Sequence, residues 1–129
     1  MKLTLIFTAI LLTSAAFAEN IKETDISIPH CEQHLGGVAE FRLQDGSRVD
    51  CLTDTQAIEH DWGKGLKPYE CIGQALYYAQ ETGREPMCVL IRPKVGEFFK
   101  YARRAIVTGV EIMCIDIDMT EFDCITGEK

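Results

Sequence analysis

Asp50 and Glu59 are the residues whose types and spacing first suggest chemistry in this chain. They lie near the middles of two segments joined by a tight turn, so adjacent strands would turn both carboxylates to one face. Glu59 and Asp61 stand two apart in Ala57-Ile58-Glu59-His60-Asp61, and residues two apart on a strand share a face. Glu40, in the preceding segment, adds a fourth acid. Such a cluster on one sheet face is costly unless something positive sits among it. Hard carboxylate oxygens would favour Mg²⁺ or Mn²⁺ over zinc. The same acids also suit the solvated side of a half-exposed sheet, and residue types alone leave both readings open.

A second group follows at helical spacing. Lys67, Glu70, Gln74 and Tyr78 recur three and four residues apart, which makes one polar stripe on a helix. Ile72, Leu76 and Ala79 are expected on the opposite, inner face. The stripe begins where the chain leaves the acidic strand, so it could lie alongside Asp50 and Glu59. Tyr77 and Tyr78 would serve equally as core or rim aromatics.

The six cysteines are Cys31, Cys51, Cys71, Cys88, Cys114 and Cys124. An even count in a small exported domain reads as a disulfide framework with 15 possible connectivities. Gly36-Gly37 would let the preceding segment fold back, which favours Cys31 with Cys51. Cys114 and Cys124 are expected to tie down the tail, leaving Cys71 and Cys88 for a helix-to-strand link. Metal binding is the alternative, since His30-Cys31 and His34 sit together. That spacing matches no paired Cys-x-x-Cys unit, and His30 and His34 are expected at the surface.

The elements that must position these groups read as follows. Val38 to Leu43 alternates, Asp45-Gly46 is a hairpin signal, and Arg48 to Thr53 is the return strand. Gln56 to Trp62 makes a third strand, giving an antiparallel meander. Pro68 suits the first turn of a helix over 69–82, which Gly83 would end. Met87 to Ile91 reads as a buried strand. Val95 to Thr108 reads as a helix with Phe98, Phe99, Ala102 and Ile106 inward, and Val110 to Ile117 as a last strand. The order is βββ-α-β-α-β, an α/β mixed sheet with flanking helices.

Before these elements, Lys2, the apolar run Leu3 to Leu12 and Ala16-Phe17-Ala18 have the three-part layout of a signal peptide. The apolar run is shorter than the roughly 20 residues of a membrane span. Cleavage is expected after Ala18, with a periplasmic or secreted destination. About 111 residues would remain, enough for one core. Residues 19–30 are expected to be a loosely ordered polar leader to a single domain over 31–129. A net charge of −7 argues against a general nucleic-acid or anionic-membrane coat.

Arg48-Val49-Asp50, Ala57-Ile58-Glu59-His60-Asp61 and Glu70-Cys71-Ile72-Gly73-Gln74-Ala75-Leu76-Tyr77-Tyr78, in that order, resemble the PD-(D/E)XK nuclease superfamily. The likeness is closest to its small exported or phage-borne members, and covers about Cys31 to Ile91. Gln74-x-x-x-Tyr78 is also similar to the helix motif of RecB-type nucleases. The resemblance implies a restriction-endonuclease-like fold and phosphodiester hydrolysis with Mg²⁺ or Mn²⁺. It implies Asp50 and Glu59 as metal-binding catalytic acids, with Glu40 before them and Gln74 and Tyr78 positioning DNA or water. Asp61 departs from it, standing where the superfamily has a catalytic lysine; Lys67 is the candidate replacement and Lys64 the next.

Two functional classes follow: an exported Mg²⁺-dependent nuclease acting on DNA, or a catalytically degenerate binding module on the same fold. The cations that could meet a phosphate backbone are local, namely Lys64, Lys67, Arg92, Lys94, Lys100, Arg103 and Arg104. Arg103 and Arg104 equally suit a solvated helix face.

Overall fold

Strand alternation, disulfides and two parallel crossovers set the architecture. A computed structural model describes residues 20–129; the expected signal segment and Glu19 lie outside the described residues. The elements are α1 (Glu23–His30), a π-helical turn (Cys31–Leu35), β1 (Val38–Arg42), β2 (Arg48–Leu52), β3 (Gln56–Trp62), α2 (Lys67–Thr82), β4 (Glu85–Ile91), α3 (Phe98–Ile106), β5 (Glu111–Ile115) and β6 (Glu121–Phe122). The strands form one mixed sheet in the order β1-β2-β3-β4-β5-β6. β1 to β3 make the expected antiparallel meander, β3–β4 and β4–β5 are parallel, and β6 returns antiparallel.

Alternation on β4 sorts the core into two layers. Cys88 and Leu90 pack with Cys71 and Ile72 of α2 and Phe98 and Ala102 of α3. Met87, Val89 and Ile91 pack on the other face, with Ile26 and Cys31 of the N-terminal segment. Both crossover helices therefore lie on one face, as consecutive right-handed βαβ units require, and α1 covers the other. The link from β3 into α2 passes tightly beneath α3, since a Cβ on Gly63 would overlap the Phe98 ring.

All three expected pairs of cysteines are bonded: Cys31–Cys51, Cys71–Cys88 and Cys114–Cys124. Three intramolecular disulfides suit an oxidising, extracytoplasmic environment. Among the described residues no helix is long and apolar enough to cross a membrane.

Three expectations change. Residues 23–30 are a helix rather than a loose leader, with Ile26, Ser27 and His30 buried. Pro29 suggested a break, but here it sits near the helix end, where the chain widens into the π-helical turn and closes on Gly36 at φ 67°. On α2, Leu76 is exposed and Ala75 and Tyr78 are buried. The Cys71–Cys88 disulfide turns Cys71 inward, and a residue five positions on then points about 140° away. The expected stripe is split accordingly, with Lys67, Glu70 and Gln74 outside and Tyr78 inside. On α3, Phe98 and Ala102 face inward, while Phe99 is at the rim beside Arg92.

Candidate functional site

The site forms where β2 and β3 part. Their ladder closes at Leu52–Ala57 and Cys51–Ile58, and beyond it side chains replace backbone bonds. The Asp50 N–H donates to Glu59 Oε1 at 3.0 Å, and the His60 N–H donates to Asp50 Oδ2 at 2.8 Å. Each carboxylate thus satisfies a main-chain donor of the opposite strand. These bonds hold both side chains in place.

Burial dominates the electrostatics. Glu59 is 3% exposed; desolvation, then the Asp50 charge, pushes its carboxyl up to about 9. Asp50 is also raised, chiefly by burial, against the lowering effect of the His60 N–H. Asp61 is buried on the same strand and raised to about 6 by desolvation, although it accepts the Trp62 N–H at 2.9 Å.

Glu23 joins this group from the first turn of α1. Desolvation and then the charges of Asp50 and Asp61 raise it to about 8. Its role is not apparent from the sequence, whose residues 19–30 suggest a loose leader rather than the helix that carries Glu23. A helix-start signal was present in the chain: Asp25 accepts the Lys22 N–H at 2.9 Å, half of a capping box.

The other expected site residues divide. Tyr78 is buried within electrostatic range of Glu59 and Asp50. Gln74 is exposed one turn earlier. Glu40 falls opposite Asp50 on β1, but its carboxylate binds Arg48 at 2.7 Å, and its backbone takes a φ of 52°. Lys67 pairs with Glu70 at 3.1 Å, not with Asp50 or Glu59. Its charge still reaches Asp61 and Glu23. Lys64 lies over the Trp62 ring at 5.8 Å.

His60 points away from the acids, as its position between Glu59 and Asp61 requires. Its Nε2 meets His30 Nδ1 at 2.9 Å, and both rings are buried. His30 is therefore not the expected surface residue; α1 folds it onto the sheet, and only His34 remains exposed, stacked on it. Burial depresses the pair, His30 to about 4 and His60 to about 3.

Among the cations, Arg92 is held by a two-pronged pair with Asp116 at 2.7 and 2.8 Å and lies over Phe122 at 4.0 Å. It is a structural residue. Lys100 pairs with Glu97 at 3.1 Å, Arg104 lies over Tyr101 at 5.5 Å, and Lys94 and Arg103 are exposed.

Among the described residues no three His, Cys, Asp or Glu side chains already converge in metal-ligating geometry. The donor set nonetheless suits a hard cation: the carboxyls of Asp50 and Glu59, each with one oxygen fixed by the backbone. Protein-family models, curated proteins and solved structures give no match to this chain, so its function has to be argued from these acids.

Proposed function

We propose that this chain is an exported, Mg²⁺- or Mn²⁺-dependent nuclease with a restriction-endonuclease-like core, hydrolysing phosphodiester bonds of DNA. The observation that carries this reading is the opening between β2 and β3, held by the carboxylates of Asp50 and Glu59. The order α1, antiparallel β1–β3, α2 and parallel β4 supports it. Asp50 and Glu59 would hold the ion, with Asp61 and Glu23 beside them and Glu40 at the border. When bound, such an ion supplies Lewis-acid activation of the phosphate and of water. Asp61, near 6, is a proton acceptor around neutrality. The positive charge for the reacting phosphate falls to Lys67, exposed and tied only to Glu70. Gln74, exposed on α2, would flank the approach, with Tyr78 buried nearer the acids. DNA would be met through the exposed Lys64, Lys67, Lys94, Lys100, Arg103 and Arg104, a local patch whose binding weakens with salt.

A second reading, a degenerate nuclease-fold binding module, is favoured by one observation: Lys67 pairs with Glu70 while an acid occupies the usual lysine position. Thermal melting and cleavage assays separate the two. Mg²⁺ or Mn²⁺ should raise the melting temperature, since a ligand binding only the folded state stabilises it by about 2.7 kcal/mol at a hundred times its Kd. The oxidised protein should nick DNA in either ion, and EDTA should stop it. Lys67→Ala should keep the thermal shift and lose cleavage. A shift in the wild type with no cleavage of DNA or RNA selects the binding module; no shift and no cleavage removes the metal site altogether.

Export has its own check. Intact mass of protein recovered outside the cytoplasm should correspond to a chain starting at Glu19. A mass for all 129 residues would defeat the signal-peptide reading.

A further inference from the structure

The Cys31–Cys51 disulfide occupies a particular place beside the acids. Cys51 is the neighbour of Asp50, and its cross-strand partner Ile58 is the neighbour of Glu59. This is the last closed rung before the strands part. The other sulfur sits at the start of the π-helical turn, just past the end of α1. α1 is the element that carries Glu23 into the cluster and His30 onto His60.

α1 depends on its neighbours to stay there. It has 8 residues, one of them Pro29, and helices this short do not persist without tertiary anchorage. Its anchors are Ile26, Ser27 and the His30–His60 bond on one face, and the disulfide at its end. Gly37 leaves room for that bond, since a Cβ there would lie 2.5 Å from Cys51 Sγ and 3.1 Å from Cys31 Sγ. The Cys114–Cys124 disulfide, by contrast, ties β5 to the tail, two strands away from β3.

We propose that the Cys31–Cys51 disulfide is a positioning element of the acidic site, so that the site is assembled only in the oxidised chain. The proposal rests on the acids being a divalent-ion site. In forming the bond, the two thiols give up two protons and two electrons to a disulfide oxidant, which departs as two thiols. A chain kept reduced has every acid but lacks the clamp that brings Glu23 and the β2–β3 opening together. Metal binding and cleavage then begin after the protein has left a reducing compartment.

The test compares two double variants, Cys31→Ser with Cys51→Ser and Cys114→Ser with Cys124→Ser. Two readouts are taken: the Mg²⁺-induced rise in melting temperature, and amide exchange at Asp50 and His60 relative to Val89 and Leu90 in β4. Both variants should melt lower than wild type. The first should lose most of the Mg²⁺ rise, and its Asp50 and His60 amides should exchange at least about tenfold faster relative to β4. The second should keep both properties.

Wild-type Mg²⁺ response and wild-type relative protection in the Cys31/Cys51 variant would overturn the proposal. Should that variant not fold, Cys31→Ala with Cys51→Val, which refills the buried space without the bond, is used in its place, and the same two readouts decide. If wild-type protein itself ignores Mg²⁺, the metal reading fails, and the relative amide protection alone settles the disulfide's positioning role.

Discussion

Glu59→Gln should melt higher than wild type at pH 8 in EDTA, yet gain nothing from Mg²⁺. The wild-type side chain is buried beside Asp50, and its ionisation is opposed first by desolvation and then by that charge. The amide removes the ionisable group while its carbonyl oxygen can still accept the Asp50 N–H. A gain on the order of 1 to 3 kcal/mol follows, since at pH 8 the unfolded wild-type chain is favoured by ionising Glu59 while the folded chain holds it protonated, and the amide removes that difference. In a domain of this size each kcal/mol moves the melting temperature by about 4 to 8 °C. Glu59→Ala should melt below the Gln variant, because the Asp50 N–H then loses its acceptor at a cost of about 1 to 3 kcal/mol. Asp50→Asn should resemble the Gln variant, with the His60 N–H still satisfied. Cleavage should fall by at least about a hundredfold in all three, since loss of an outer-shell partner alone costs about 10- to 100-fold and these acids would be the ligands themselves. A Gln variant that melts lower than wild type at pH 8, or keeps its Mg²⁺ response, would show that Glu59 is a structural acceptor and no ligand.

Metal-free wild type should lose stability as the pH rises from 6.5 to 9. Glu59 and Glu23 are raised to about 9 and about 8, so in this window the folded chain retains protons that the unfolded chain has released. Stability falls with pH wherever the folded state binds more protons, at up to about 1.4 kcal/mol per pH unit for each. Below 6.5 the buried histidines act in the opposite sense. His30 and His60 stay neutral in the folded chain down to about 4 and about 3, while the unfolded chain takes up their protons. From 4.5 to 6 Asp61, raised to about 6, and Asp50, also raised, join Glu59 and Glu23 against the two histidines, so stability still falls as the pH rises. Below the ordinary carboxylate range the histidines dominate and stability drops. Saturating Mg²⁺ should flatten the fall above 6.5, since the ion replaces the retained protons. Denaturant melts at half-unit steps of pH, with and without Mg²⁺, measure both limbs. A profile rising from 6.5 to 9 in EDTA would contradict the buried-acid description.

Much of the sheet was legible because its signals are local. Asp45-Gly46 bends the first hairpin, with the Ser47 N–H bonded to Asp45, and β3 spans Gln56–Trp62 as its sequence pattern suggests. The disulfide pairs followed from chain order and from where glycines permit folding back. What was not legible depended on the other layer. The weakly amphipathic α1 is held by a disulfide and a histidine pair from β3, so its own residues gave little warning of Glu23's role. The rotation of α2 is set by Cys71 meeting Cys88, which put Leu76 outside and Tyr78 inside. The distance from Lys67 to the acids depends on one flexible side chain, and helix spacing carries no information about that choice.

The left-handed turn of the main chain at Glu40 reaches beyond the site. β1 is one outer border of the sheet, and an outer strand offers unpaired N–H and C=O groups to any passing molecule. A φ of 52° in the middle of β1 interrupts the row of groups that an incoming strand would need, and Arg42 adds a charge at its end. The opposite border, β6, is only 2 residues long. Both borders of the sheet are thus poorly suited to templating the growth of a cross-β stack.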